Sequence, residues 1–300
     1  MKKRVLSVLL CGCLAMSVLA GCDSDKQEVV TNTDAEDAAK DAAAEGETAE
    51  PEAVEPVDSD MEYVLSKGTL VVGITEFEPM DYKDENGEWI GFDADMANAF
   101  AESLGIEAEL VEIDWDNKVL ELDSKMIDCV WNGMTLTDET LSSMECTDAY
   151  LKNAQVVVVP ADKADQYQDK DSLSELSFAV EAGSAGEEEV SALGLDYTPV
   201  RTQSDALLEV ASGTSDAAVI DSLMAAAMIG EGTSYADLTY TVSLNSEEYG
   251  VGFRKGSDLA EVLNEFFETA ASNGKMNTCA EKYGVQAALP GAESTESTEE

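Results

Sequence analysis

The sequence predicts an α/β fold, and three observations carry that expectation. Short, continuously apolar runs recur along the chain, among them Thr69–Ile74 (TLVVGI) and residues 217–220 (AAVI). A run of that length bounded by turn residues fits a strand covered on both faces, as in a parallel sheet. Between such runs lie segments with helical periodicity: over residues 93–104, Met96, Phe100 and Leu104 share one face and Gly105 follows as a stop. The third observation is residues 127–140, IDCVWNGMTLTDET, where an apolar run passes into small and hydroxylated residues and then into Thr137 followed by acids. That is the make-up of a helix N-cap and first turn, so the stretch reads as a strand whose end opens into a helix. Free backbone N–H groups and short hydroxyls converge at such junctions. Asn132, Gly133 and Thr135 are therefore candidate ligand contacts, set against an ordinary strand-to-helix turn.

Taken in order, residues 1–21 combine a basic start (Lys2, Lys3, Arg4), an apolar centre over residues 5–19 and small residues ahead of a cysteine. This is the pattern of a secretory signal, too short to be a good membrane span. Leu19-Ala20-Gly21-Cys22 resembles the lipobox of bacterial lipoproteins, which implies cleavage before Cys22, its acylation and anchoring at a membrane surface. Residues 22–60 are rich in Ala, Glu, Asp and Thr and hold almost no large apolar side chains. Such a segment buries too little apolar surface to offset chain entropy and is expected to be an acidic disordered tether. Residues 291–300 are expected to form a similar tail.

From residue 61 the pattern becomes globular. The strand Thr69–Ile74 is followed by an irregular loop, Glu76-Phe77-Glu78-Pro79-Met80-Asp81-Tyr82, and a hairpin-type turn at Asp84-Glu85-Asn86-Gly87. After the helix over 93–104 come a strand at 107–113, then Asp114-Trp115-Asp116 and a helix to about Ser124. Residues 155–160 form a Val-rich strand. Ser172 and Glu175 fit a capping box that opens a short turn, residues 177–180 form a strand, and Gly183-Ser184-Ala185-Gly186 opens a helix beginning near Glu187. A buried strand at 217–220 ends at Asp221-Ser222 before an Ala-rich helix. Amphipathic helices over 258–272 and 275–283, parted by Asn273-Gly274, finish the globular part.

Composition narrows the function. The 300 residues include 63 acids against 17 bases, which argues against a nucleic-acid partner and against a basic membrane-binding face. The chain contains no His, so Ser/His and Cys/His catalytic pairs and His-ligated metal sites are excluded, and neither a cofactor nor a metal is implied. Beyond the leader stand Cys129, Cys146 and Cys279, an odd number without a CxxC pair. Cys129 and Cys146 read as buried apolar fillers, with a disulfide between them as the other reading.

Asp128 within the central strand, then Gly133-Met134-Thr135-Leu136-Thr137-Asp138-Glu139, Thr147-Asp148-Ala149-Tyr150, Gly91-Phe92-Asp93 and Tyr249-Gly250-Val251-Gly252-Phe253-Arg254-Lys255-Gly256 resemble the pattern of the family 3 solute-binding proteins. These are extracytoplasmic receptors of polar amino-acid ABC importers, and the resemblance runs over residues 61–286. It implies a two-lobed, periplasmic-binding-protein-like α/β fold with two hinge crossings over residues 61–290. The first lobe would span 61–154 and 249–290, the second 155–248. It also implies a function: capture of an amino acid or related small polar amine between the lobes and delivery to an ABC permease at the outer face of the cytoplasmic membrane.

Site roles follow from the same resemblance. Asp221 matches the acid that receives an α-ammonium, while its place before a helix fits an N-cap equally. Phe77 and Trp115 match rings that sandwich the ligand side chain, with core packing as the other reading. Glu181 stands where some relatives carry a polar or basic residue facing the ligand, and an acid there favours a cationic group. Ser184 and Ala185 open a helix whose amides suit a carboxylate, in competition with Glu187, Glu188 and Glu189. The chain departs from the family at Thr140, where an arginine clamps the ligand carboxylate in a Thr-x-Glu-Arg segment. Arg201 and Arg254 are the arginines left after the leader, and the sequence places neither in the cleft. The ligand is then a basic amino acid, an amine, or an amino acid whose carboxylate is held by backbone amides. Two other functions fit the scaffold: a dehydratase resembling cyclohexadienyl dehydratases, with Glu181 as acid, and a ligand-sensing receptor.

Overall fold

The computed structural model describes residues 59–292; the expected signal, the lipobox with Cys22 and most of the tether and tail lie outside the described residues. Helix α1 (Asp60–Lys67) opens on Ser59, whose side chain accepts from Glu62 N, and stops at Gly68 in the left-handed conformation. Ser59 and Asp60, read as tether in the sequence, thus belong to the folded body.

The chain continues with β1 (Thr69–Ile74), the hairpin β2 (Tyr82–Lys83) and β3 (Trp89–Ile90), α2 (Phe92–Ser103), β4 (Glu107–Glu112), α3 (Lys118–Asp123) and β5 (Cys129–Thr135). Next come α4 (Asp138–Ser143), β6 (Glu145–Cys146) and β7 (Leu151–Asn153). A second set follows: β8 (Gln155–Pro160), β9 (Ser177–Glu181), α5 (Ala185–Ala192), β10 (Asp196–Val200), α6 (Gln203–Ser212), β11 (Ala217–Asp221), α7 (Ser222–Met228) and β12 (Leu238–Ser243). Strand β13 (Glu247–Phe253) and helices α8 (Leu259–Ser272) and α9 (Lys275–Tyr283) complete the fold.

Two sheets result. The first has the order β4-β1-β5-β13-β6, with β7 also on β13; the second has the order β10-β9-β11-β8-β12. Parallel pairs form the part built by strand–helix–strand units, β1 with β4 and β5, and β9 with β10 and β11. The chain leaves the first sheet at Ala154, between β7 and β8, and returns through residues 244–246. The return strand starts at Glu247, two residues ahead of the expected Tyr249, because Glu247 already pairs with Asn153 of β7.

Packing explains why the apolar runs are continuous. Along β8, Val156 and Val158 pack with Ala206, Leu207 and Val210 of α6, while Val157 and Val159 pack with Phe178 and with Val190 of α5. Alternate side chains of one strand thus serve both faces, and neither face admits a polar residue. Strands β10 and β12, which the sequence did not announce, are the two edges of this sheet. β10 contains Pro199 and is largely exposed, and Tyr240 of β12 is exposed, so neither shows a buried-strand pattern. The short turn at 170–173 is capped by Asp169, whose side chain accepts from Ser172 N, and not by Ser172.

Beneath β5 lies a buried ion network. Asp128 is fully buried and accepts from Val71 N at 2.7 Å, from Lys67 and from Arg254 Nη2 at 3.4 Å; Arg254 Nε reaches both Asp60 oxygens at 3.0 Å. This assigns Arg254 to the scaffold. Removing one partner of a buried pair leaves a charge uncompensated, so Asp128→Ala is expected to cost about 3 kcal/mol of stability, read as a lower denaturation midpoint. Cys129, Cys146 and Cys279 are free thiols, so no disulfide joins Cys129 to Cys146. Cys129 is buried, in agreement with the filler reading, whereas Cys146 is only half-buried.

Candidate functional site

Between the lobes lies a cavity of about 80 Å³. All nine residues singled out in the sequence line it: Phe77, Trp115, Asn132, Gly133 and Thr135 from the first lobe, Glu181, Ser184, Ala185 and Asp221 from the second. Thr140 lines it too.

The first-lobe wall is largely scaffold. Asn132 accepts from Thr75 N at 3.0 Å and Thr75 Oγ1 at 2.7 Å, and its Nδ2 donates to Thr75 O and Asp81 Oδ2. Its polar valences are filled, so its side chain fixes β5 and has none left for a ligand, contrary to the contact expected of it. Gly133 N is likewise taken, donating to Asp93 Oδ2 at 2.7 Å. Gly133 has φ +55°, and a Cβ there would come within 2.6 Å of Phe77 Cε1, so glycine is required for the ring to reach the cavity. Burial holds the Asp93 carboxyl up to about 7 and also raises Asp81 well above its ordinary range, with Asp93's charge adding to that rise. Thr140 Oγ1 donates back to Thr135 O and Thr137 O, so the position carries no charge into the cavity. Trp115 packs on Ile113, Val130 and Met134, and Phe77 meets Tyr249 edge-on at 6.4 Å. Each ring is core on one side and cavity wall on the other.

Asp221's carboxylate turns to the cavity and not to the helix it precedes. It makes no cap bond to α7. Asn153 takes that duty, its Oδ1 accepting from Ser222 Oγ at 2.8 Å and Leu223 N at 3.3 Å. Asp221 lines the cavity, accepting from Gln155 Nε2 at 2.9 Å, Tyr249 Oη at 2.7 Å, Asn153 and Gln203. Gln155 Nε2 and Asn153 Nδ2 also donate to Glu247 Oε1, at 2.8 and 2.6 Å, and Thr135 Oγ1 joins them at 2.9 Å. Burial and then the nearby Glu247 charge push the Asp221 carboxyl up to about 8.

Glu181 is 3% exposed, and its Oε1 has no hydrogen-bond partner among the described residues. Burial first, and the Asp221 charge second, push it up to about 8. Ser184 Oγ accepts from Glu187 N at 3.2 Å as the cap of α5, and Glu187 Oε2 closes back on Gly183 N at 2.7 Å. The expected competition at this helix start is therefore real for Glu187, whereas Glu189 turns away to Asn245.

Other contacts join the lobes away from Asp221. Lys118 Nζ, from the first lobe, donates to Gly183 O of the second at 2.8 Å, and Arg201 Nη2 reaches Glu112 Oε1 across the rim at 3.1 Å. Gly183 has φ +69°, and a Cβ on it would lie 3.0 Å from Asp116 Cα of the opposite lobe. Gly183→Ala is expected to weaken ligand binding about tenfold, since about 1.4 kcal/mol against the closed state suffices. Calorimetric titration checks this, and undiminished affinity would show that closure does not bring the lobes together at Gly183.

With this geometry in hand, the family of bacterial extracellular solute-binding proteins, family 3, matches residues 70–286. The chain belongs to that family. This solute-binding protein is 30% identical over 226 residues, 72% of its length and 86% of the relative's, to the arginine-binding extracellular protein ArtP of Bacillus subtilis (strain 168). A mutant of ArgBP from T. maritima superposes with a TM-score of 0.70 at 33% identity, covering 75% of this chain and 99% of that one. The ancestral amino acid-binding protein AncCDT-1, a precursor of cyclohexadienyl dehydratase, superposes with 0.69 at 29% identity over 75% and 99%. The two-lobed α/β architecture of this solute-binding protein is therefore the family's own.

Several cavity residues escaped the sequence reading. Gln155 heads a Val-rich strand and Gln203 opens α6, and both ligate Asp221; a polar residue at the head of an otherwise apolar strand was the one signal available for Gln155. Glu188 lines the cavity from α5, as Lys118 does from α3. Nothing in the sequence separates these two from solvent-facing charges.

Proposed function

We propose that this solute-binding protein captures an amino acid or related small polar amine between its lobes, held at the outer face of the cytoplasmic membrane through acylated Cys22, and delivers it to an ABC permease. No bond is made or broken; the ligand works by binding the closed arrangement better than the open one. The observation that carries the reading is Glu181. A buried carboxyl with one oxygen unpaired, lining the same cavity as Asp221 and the rings of Trp115 and Phe77, is a receptor for a cation. Asp221 receives the α-ammonium in this reading, and Glu181 favours a second cationic or polar group.

A thermal-shift screen with the common amino acids and polyamines tests it. A ligand at about 100 times its Kd adds about 2.7 kcal/mol to stability, a clear shift; absence of any shift across the set would overturn the reading. A second reading keeps the scaffold and makes Glu181 a general acid, favoured by its carboxyl remaining protonated near neutral pH. Consumption of prephenate or L-arogenate by the purified protein decides for the enzyme, and its absence decides for the receptor. Sensing in place of import is separated by whether a membrane permease is retained on the liganded protein.

A further inference from the structure

The side-chain charges around the cavity are unequal. Asp116, Glu139, Glu181, Glu188 and Asp221 line it as acids, and among the lining residues Lys118 is the single cation. Lys118 is 9% exposed and makes no ion pair among the described residues. Its ammonium is held by backbone carbonyls, Gly183 O at 2.8 Å and Trp115 O at 3.3 Å, and stands 5.0 Å from the centre of the Trp115 ring. An ammonium has three donors, so one N–H remains without a protein acceptor. A buried cation with an unused donor is costly unless something anionic comes to it.

Its position says what comes. Gly183 immediately precedes Ser184 and the first turn of α5, so Lys118 Nζ and the start of α5 at Ala185 share one corner of the cavity. First-turn amides have no intrahelical acceptor and favour an anion. The hydroxyls nearby are not competitors, since Thr140 Oγ1 bonds to backbone carbonyls and Ser184 Oγ caps α5. An amino acid brought in by Asp221 carries a carboxylate that must be paired away from five acids.

We infer that Lys118 is the specificity-determining residue for the ligand's carboxylate, and that through it the site selects amino acids over the corresponding amines. The inference rests on the reading that this cavity binds amino acids. It also differs from a purely mechanical role for Lys118 as a strap between the lobes. A strap holds any ligand equally, whereas a carboxylate partner distinguishes two ligands that differ only in that group.

The test uses matched pairs: L-arginine with agmatine, L-lysine with cadaverine, and L-histidine with histamine, titrated calorimetrically at neutral pH. Lys118→Gln keeps a donor for Gly183 O and removes the charge; Lys118→Met removes both. For the best-bound pair, the parent is expected to prefer the amino acid by about tenfold or more, the worth of one charge-assisted hydrogen bond. Lys118→Gln is expected to bring that ratio close to one by weakening the amino acid relative to the amine, and ligand-free melting curves show whether each variant is folded. Equal loss for both members of a pair, or an unaltered ratio, overturns the inference and leaves amino-acid capture standing. Tighter binding of the amine by the parent also overturns it. Binding of neither member of any pair overturns the inference together with the reading beneath it.

Discussion

Asp221→Ala is expected to lower affinity for the amino acid or amine at least about a hundredfold, roughly 3 kcal/mol, because it deletes the charged partner of a buried cation. The residue is 4% exposed and held in place by Asn153, Gln155, Gln203 and Tyr249, so its orientation is set before a ligand arrives. Such preorganisation is what makes one carboxylate worth this much. Asp221→Asn sharpens the test. It preserves shape but turns an NH₂ group toward a ring of donors, leaving one acceptor oxygen for four partners. It is expected to lose the ligand as Ala does and also to lower the melting temperature of the ligand-free protein. Calorimetry and thermal melts read the two effects, and an Asp221→Ala protein that binds as tightly as its parent would remove this residue from the site.

The second large effect is on pH. In the ligand-free fold, Glu181 and Asp221 are each held up to about 8, well above ordinary carboxyl values near 4. A cation binds their ionised forms, so at neutral pH binding must expel protons. Affinity is expected to fall about tenfold per pH unit below 8 for each carboxyl that ionises on binding, or about a hundredfold between pH 8 and pH 6 for one of them. Glu247 and Asp205 raise these groups further and Lys118 opposes the rise at Glu181, so the slope belongs to the cluster and not to one side chain. Ligand-free stability runs the other way. A carboxyl raised in the fold stabilises it fully below its unfolded value and loses that contribution as pH climbs through its folded value. Asp93, held up to about 7, adds to this. The empty protein should therefore grow less stable from about pH 5 to pH 9 while affinity increases. Titrations in two buffers of different ionisation enthalpy count the released protons, and affinity independent of pH across this range would exclude a role for either carboxyl.

The fold was readable because the central strands of its two sheets are buried. Val-rich β8 and the run in β1 have no amphipathic alternative, and Gly105 and Gly274 mark helix ends that the structure keeps. The edge strands β10 and β12 were not readable, since half-exposed strands with a proline or an outward tyrosine lack that signature. At the site, junction chemistry found the right places and misassigned some duties. Asn132 and Gly133 sit at the cavity but spend their hydrogen bonds on Thr75, Asp81 and Asp93, partners 40 to 57 residues away in sequence. Lys118 was missed for a related reason: a lysine opening a helix reads as solvent-facing until the second lobe brings Gly183 over it. Local pattern reveals which backbone positions can meet a ligand, and long-range pairing decides which polar groups remain free to do so.

The rim contact between Arg201 and Glu112 bears on how a ligand leaves. Its side chains are 58% and 36% exposed, and a pair so open to water contributes about 0–1 kcal/mol, less in salt. The rim thus adds little to holding the lobes shut, so the lifetime of the filled receptor is set deeper in the cleft, where the ligand and Lys118 both bridge the lobes, and not at its lip. A partner that pries the rim apart meets little resistance there, and the emptied receptor has no strong clasp at its lip to undo before it fills again.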